Sequence, residues 1–537
     1  MLRYLGPSEA TVWVQADRPC EVEVLGRRER TFRVGSRHFA LVPLTGLAPG
    51  RTHGYAVALD GERRWPEAAA PAPAIRVPDP GRLRLAFGSC RVVAPARPPY
   101  DLRPDDHRRG RGADALAALA ARLAGAPRAD WPDLLLMLGD QVYTDRDHPM
   151  TTAAIRRRRG RGAPRDQPLD LDEHARIYEE SWADPVIRRL LASLPSAMIF
   201  DDHEVVNDWN TSLAWRRRRE RRPWWSSRLA AALMAYWLYQ HLGNLSPAAL
   251  AADPVLAAVR AAGTDGDGEP ALRGLAEGWV ADPRSVRWSH RRDLGPARLV
   301  VLDSRSRRRL GPGARRIADD EEWAWLERAA IGDVDHLLIA TSVPVLLPAG
   351  LQRLEAVTER LGSGAFGPTA VGAAEMLRRR LGLEHWGAFA VSFDRMAALL
   401  EHVGSGGRGR PPASIAILAG DVHHAFLTEV GFRRSAGVRS AVAQVVASPL
   451  RNALGPAGRR LIRVGHSRAF AALMAPAARL TGVPAPPIRW RAAGRPVAEN
   501  NLATLALDGR RAEVLVERAL LGPGGPRLTP AVRRRLV

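Results

Sequence analysis

Six short apolar runs, at 83–87, 134–138, 196–200, 298–302, 336–340 and 414–418, end in polar or ionisable residues and constrain the fold more than any other feature. Helix-period segments separate them, among them 114–123, 224–242 and 319–330. Strands that alternate with helices predict an α/β domain. In such sheets ligands bind beyond the carboxyl ends of the strands, so the residues just after each run are the first candidates for chemistry.

The rest of the chain arranges itself around that domain. Before it, β-rich runs at 10–14, 21–25, 39–44 and 54–58 predict a small β-sandwich, followed by a Pro/Ala-rich linker at 66–80. The expected division is therefore 1–80 for the N-terminal domain and linker, 81–520 for the main domain and 521–537 for a tail. At 537 residues the chain exceeds what one hydrophobic core supports. Near the end, 502–507 and 512–516 flank Asp508-Gly509 and read as a hairpin that closes the sheet.

Four strand ends carry the chemistry. The second run ends in Gly139-Asp140-Gln141-Val142-Tyr143, the third in Asp201-Asp202-His203-Glu204 and the sixth in Gly420-Asp421-Val422-His423-His424. Any one of these has an ordinary reading: a carboxylate after glycine caps helices, and single histidines are commonly structural. Their recurrence is what counts. Consecutive ionisable groups cannot be buried without partners, because an unpaired charge in the interior is costly, and a metal ion supplies a partner. Asp421 and His423 would share one side of an extended segment. The first run ends in Gly88-Ser89-Cys90, which sets a thiol at the position equivalent to Asp140. Mixed carboxylate and imidazole donors suit metals that activate water, and a nearby cation favours the thiolate.

Together these segments resemble the PhoD-like alkaline phosphatase family of the metallophosphoesterase superfamily. Asp208-Trp209 and Asp303-Ser304-Arg305 add to the likeness, which spans about 83–510. The resemblance implies a four-layer α/β/β/α domain and hydrolysis of phosphodiesters or phosphomonoesters at an iron centre with calcium nearby, other divalent metals being alternatives. It implies Cys90 and Tyr143 as iron ligands, Asp140 as a bridge, Asp202 in the place of a metal-binding Asn, and Asp421 and His423 completing the shell. Two departures from the wider superfamily stand out. Gly-Ser-Cys replaces Asp-x-His at the first strand, and no histidine follows the fifth run near 341–344.

His203, beside Asp202, is the candidate to contact substrate or protonate the leaving oxygen. Arg305 either grips phosphate as a bidentate fork or pairs with a motif carboxylate. The aromatic residues of 224–239 have helical spacing and read as core.

The formal charge is +22, and since the chain has no lysine all of the positive side-chain charge is arginine. A nucleic-acid-binding protein with a vestigial metal site is thus the alternative reading, with nucleic acid otherwise conceivable as a substrate. Two cysteines, Cys20 and Cys90, exclude a disulfide framework. No signal-like or membrane-spanning run is present, so a cytoplasmic enzyme is expected.

Overall fold

The computed structural model describes residues 1–537 except 68–72, 147, 312–314 and 408; the first of these gaps leaves part of the expected linker outside the described residues. At the N-terminus the strands Leu2–Leu5, Glu9–Ala16, Phe32–Val34 and Arg37–Thr45 form one four-stranded sheet, and Glu21–Val24, Arg27–Arg30, Val57–Leu59 and Glu62–Trp65 form another. Val12 and Val42 from the first and Val22 and Val24 from the second meet in a single apolar cluster.

The remainder is a mixed α/β fold built on two larger sheets. One has six strands, in the order Ser196–Ile199, Leu134–Leu138, Arg82–Gly88, Asn501–Asp508, Arg511–Gly522 and Gly525–Arg535. The other has seven and includes Ala297–Leu302, His336–Thr341, Ser414–Ala419 and Ala441–Val446 in parallel. Side-chain alternation explains how the second sheet is covered on both faces. Leu299, Val301, Leu338, Ala340, Ala416 and Leu418 join the core shared with Leu85, Phe87 and Leu136 of the six-stranded sheet. Their neighbours Val300, Leu302, Leu337, Ile339, Ile415 and Ile417 join a separate cluster with Trp323 and Met396 of flanking helices.

Residues 525–535, expected as part of a tail, are instead the edge strand of the six-stranded sheet. Their prolines and arginines obscure the strand pattern, yet both residue types are compatible with an edge, where one row of backbone groups faces solvent. In 224–239 Trp225, Tyr236, Trp237 and Tyr239 are buried. Tyr239 stacks on Tyr178 at 4.5 Å, and Trp13 Nε1 donates to Leu238 O at 2.9 Å, so this segment is core and seats the N-terminal sheet.

Because Leu134–Leu138 runs parallel to both Arg82–Gly88 and Ser196–Ile199, three of the four motif segments emerge at one end of one sheet. The fourth reaches them from the other sheet: Asp421 N donates to Ser89 Oγ at 3.0 Å.

Candidate metal centre

Backbone strain marks the place. Among the described residues eight non-glycine positions have positive φ, and six of them lie here: Cys90, Asp140, Asp208, Asn210, Asp421 and His423. Each costs on the order of 1–3 kcal/mol and persists only where the surroundings impose it, as at functional sites. The expected extended segment at 421–423 is not found. Asp421 (φ 66°) and His423 (φ 53°) are both left-handed, and Val422 N turns back to donate to Gly420 O at 2.9 Å. Asp and His enter that region more readily than most residues. The glycines are steric necessities: a Cβ on Gly139 would lie 2.4 Å from Asp201 Cβ, and one on Gly420 would lie 2.3 Å from Ser89 Oγ.

These turns converge donor atoms. Cys90, Asp140 and His423 offer one sulfur, one oxygen and one nitrogen within 4.8 Å of one another. The same holds for Asp140, Asp202 and His203, for Asp140, Asp201, Asp202 and Asp421, and for Asp202, Asp208 and Glu384. Asp140 therefore belongs to three of the four groups. Tyr143 adjoins the first: its hydroxyl accepts from Asn452 Nδ2 at 3.2 Å, and the same nitrogen lies 3.4 Å from His423 Nε2.

Electrostatics favour a cation within the cluster. Burial, reinforced by neighbouring carboxylates, pushes Asp140 well above the usual carboxylate range; Asp201 is also well raised and Asp202 raised, burial outweighing Arg305 in both. Burial and the adjoining Asp140 likewise raise Cys90 and Tyr143 well above their ordinary values. Asp201 Oδ2 and Asp202 Oδ1 are buried without a hydrogen-bond partner. Buried acceptors of this kind, beside a thiol and an imidazole, fit a metal ion.

Glu204 serves the framework. It accepts from the backbone N–H groups of Asp140 at 3.1 Å, Gln141 at 2.7 Å and Asp201 at 2.8 Å, tying two strand ends together. His203 stacks on Tyr143 with ring centroids 4.3 Å apart, and its Nδ1 lies 2.7 Å from Asp145 Oδ1. Burial opposes its imidazolium, but Asp202, Asp140 and Asp145 outweigh burial and raise its pKa well above the ordinary value. Arg305 is wholly buried. It pairs with Asp201 and, at 2.6 Å, with Glu384, while Nη2 lies 3.7 Å from both Asp202 and Asp421. Of the two readings open for this arginine, the pairing with a motif carboxylate is the contact present.

Four further residues were not legible in the motifs. His385 Nε2 lies 3.0 Å from Asp421 Oδ2, and its Nδ1 lies 2.8 Å from Glu355 Oε1. A histidine does reach the site, from beyond the helix Gly367–Leu381 and not from the end of the fifth run. Ser342, at that strand's end, donates to Asp201 Oδ1 at 2.9 Å. Glu384 and Asn452 complete the set, and Glu384-His385 before Trp386 is the signal that could have drawn attention to two of them.

Comparison with known proteins places part of the chain in a family. Residues 120–333 match the PhoD-like phosphatase family. That stretch of the chain is PhoD-like. A domain of unknown function, DUF7800, matches residues 1–77. The matched PhoD-like stretch contains Asp140, Tyr143, Asp202, His203 and Arg305; Cys90, Asp421 and His423 lie outside it and are brought in by the geometry above. A solved structure described as "Structure of PhoD" aligns with 100% of this chain and 91% of its own, at TM-score 0.58 and 13% identity, a likeness of fold. No curated protein matches the chain. Among the described residues no helix is long and apolar enough to cross a membrane.

Proposed function

We propose that the protein hydrolyses phosphate esters, phosphodiesters or phosphomonoesters, at a metal centre carried on a four-layer α/β/β/α scaffold with an N-terminal β-sandwich. The observation that carries this reading is the sharing of Asp140 among three donor groups, two of which add an imidazole to carboxylate, so that one carboxylate would serve more than one ion. Cys90, Asp140, Tyr143, Asp202, Asp421 and His423 would hold the iron centre. The oxygen-only set Asp202, Asp208 and Glu384 suits calcium, a hard cation that takes carboxylates. Such ions supply Lewis-acid charge that makes water a nucleophile near neutral pH and offsets charge on the phosphoryl oxygens.

The chain's own residues do the rest. Asp145 holds His203 Nδ1, which leaves the other ring nitrogen to meet the substrate, and the Asp145 carboxylate favours the protonated ring that a leaving oxygen needs. Arg305 is a positioning residue that fixes Asp201 and Glu384 at the site. Both cysteines are free and buried, which suits a reducing, cytoplasmic setting.

Hydrolysis of bis(p-nitrophenyl) phosphate and p-nitrophenyl phosphate, with iron and calcium supplied, tests the proposal against an Asp140→Asn control. Turnover of either ester that the substitution abolishes supports it and assigns ester class. A folded, metal-loaded protein that turns over neither, but binds nucleic acid with a steep salt dependence, would mean a binding protein with a vestigial site.

A further inference from the structure

Apolar side chains left in water are concentrated in two segments. Of the 14 large exposed hydrophobic residues among those described, eight lie in 366–381 and 461–480: Phe366, Val371, Met376, Leu381, Leu461, Val464, Leu473 and Leu480. The helices of both segments, Gly367–Leu381 and Arg468–Leu480, pack on Ala349–Gly362. The second segment belongs to a helical hairpin, Pro456–Gly465 and Arg468–Leu480, and its exposures are large: Leu461 62%, Val464 52%, Leu473 68% and Leu480 84%. On Arg468–Leu480 the exposed residues Ala469, Ala472, Leu473, Pro476 and Leu480 follow i, i+3, i+4, i+7 and i+11 spacing, so the apolar stripe of this helix faces outward.

Charge on the same hairpin is of one sign. Between Glu429 and Glu499 the sequence contains no carboxylate side chain and 12 arginines. Five of them, Arg459, Arg460, Arg463, Arg468 and Arg479, lie on the hairpin. Arg459 pairs with Asp105, whereas the other four are exposed and make no ion pair with a described residue.

We propose that the outer face of this hairpin docks on an anionic phospholipid bilayer. A cationic helix with an apolar stripe gains from both parts of such a surface, the guanidinium groups from the headgroup charge and the aliphatic side chains from the headgroup–acyl boundary. Nucleic acid would reward the arginines but not the aliphatic stripe. A second copy of the chain would bring two uniformly cationic surfaces together. The hairpin is tied to the candidate centre at both ends of its first helix: Asn452, just before it, donates to the Tyr143 hydroxyl, and His466, just after it, lies 2.9 Å from His424, nitrogen to nitrogen. Docking through this face therefore brings that centre close to the bilayer surface, whatever reaction it performs.

Flotation of the full chain with vesicles tests the proposal, comparing phosphatidylcholine alone with phosphatidylcholine mixed with phosphatidylglycerol. The protein is expected to float with the mixed vesicles only, and less so as salt is raised. Arg460→Gln with Arg463→Gln should weaken partitioning about fivefold per charge removed, and Leu473→Glu with Leu480→Glu should abolish it. All four side chains are exposed, so thermal unfolding of both variants should match the parent. If the glutamate pair misfolds, the glutamine pair decides. No flotation at low salt, flotation unchanged in the variants, equal binding to uncharged vesicles, or a dimer that Leu473→Glu dissociates would each overturn the proposal.

Discussion

The metal centre and the helical hairpin beside it are opposite solutions to carrying charge. At the centre Asp140, Asp201, Asp202, Glu204 and Glu384 are buried, with Arg305 among them as a wholly buried cation. On the hairpin four arginines stand in solvent, with no carboxylate on either helix. One region is acidic, buried and strained; the other is basic, exposed and regular. A formal charge of +22 therefore describes the surface and says nothing of the site, where the local excess has the opposite sign. What distinguishes the regions is the cost of each charge, several kcal/mol for an unpaired buried ion and little for an exposed one.

The largest effect that would sharpen this contrast is on turnover. His203→Ala removes the proposed proton donor while leaving the metal donors in place, and kcat should fall about 10²- to 10⁴-fold with metal content, measured by elemental analysis, unchanged. Parallel loss of both would make His203 a support for the ligands. Next comes Arg305→Met. Removing one partner of a buried ion network costs about 3–5 kcal/mol, so the urea midpoint of the metal-free protein should drop steeply. Loading metal should recover part of that loss, since the ion supplies positive charge to the same carboxylates.

A smaller effect depends on pH. Burial disfavours the His385 imidazolium, but Glu355 and Asp421 outweigh burial and raise its pKa to about 10 from 6.5. A cation held more tightly by the folded chain stabilises fully below the unfolded value and is lost as pH rises through the folded one. The metal-free protein should thus lose stability between pH 6.5 and about 10, with a His385 contribution to the slope of at most about 1.4 kcal/mol per pH unit. His385→Gln should remove that contribution, which thermal melts across the range would detect.

Physical reasons separate what was legible in the sequence from what was not. The sheets were legible because a strand buried on both faces is a short unbroken apolar run, as at 134–138, 336–341 and 414–419. Cys90, Asp140, Asp202 and Asp421 were legible because each lies within three residues of the end of such a run. Alternation failed at 421–423, since two left-handed residues put both side chains at the site without an extended backbone, and a sequence does not display φ. Glu384 and His385 were hidden because they follow a helix, and it is contact with Arg305 and Asp421 that brings them in. The strand Gly525–Arg535 was hidden because an edge strand needs few apolar residues.

The smallest expected effect breaks the comparison most cleanly, because it repeats one chemical change in the other region. Arg463→Met removes a guanidinium that is exposed and makes no ion pair with a described residue. Stability should stay within about 0.5 kcal/mol of the parent, against the several lost at Arg305. If Arg463→Met instead destabilised the chain as Arg305→Met does, the hairpin's arginines would be holding the fold together. The exposed face would then lose its standing as a surface kept basic for a partner. If stability is unchanged while vesicle binding weakens, the two arginines differ in what they serve: one neutralises buried carboxylates of the chain itself, and the other is left for charges outside it.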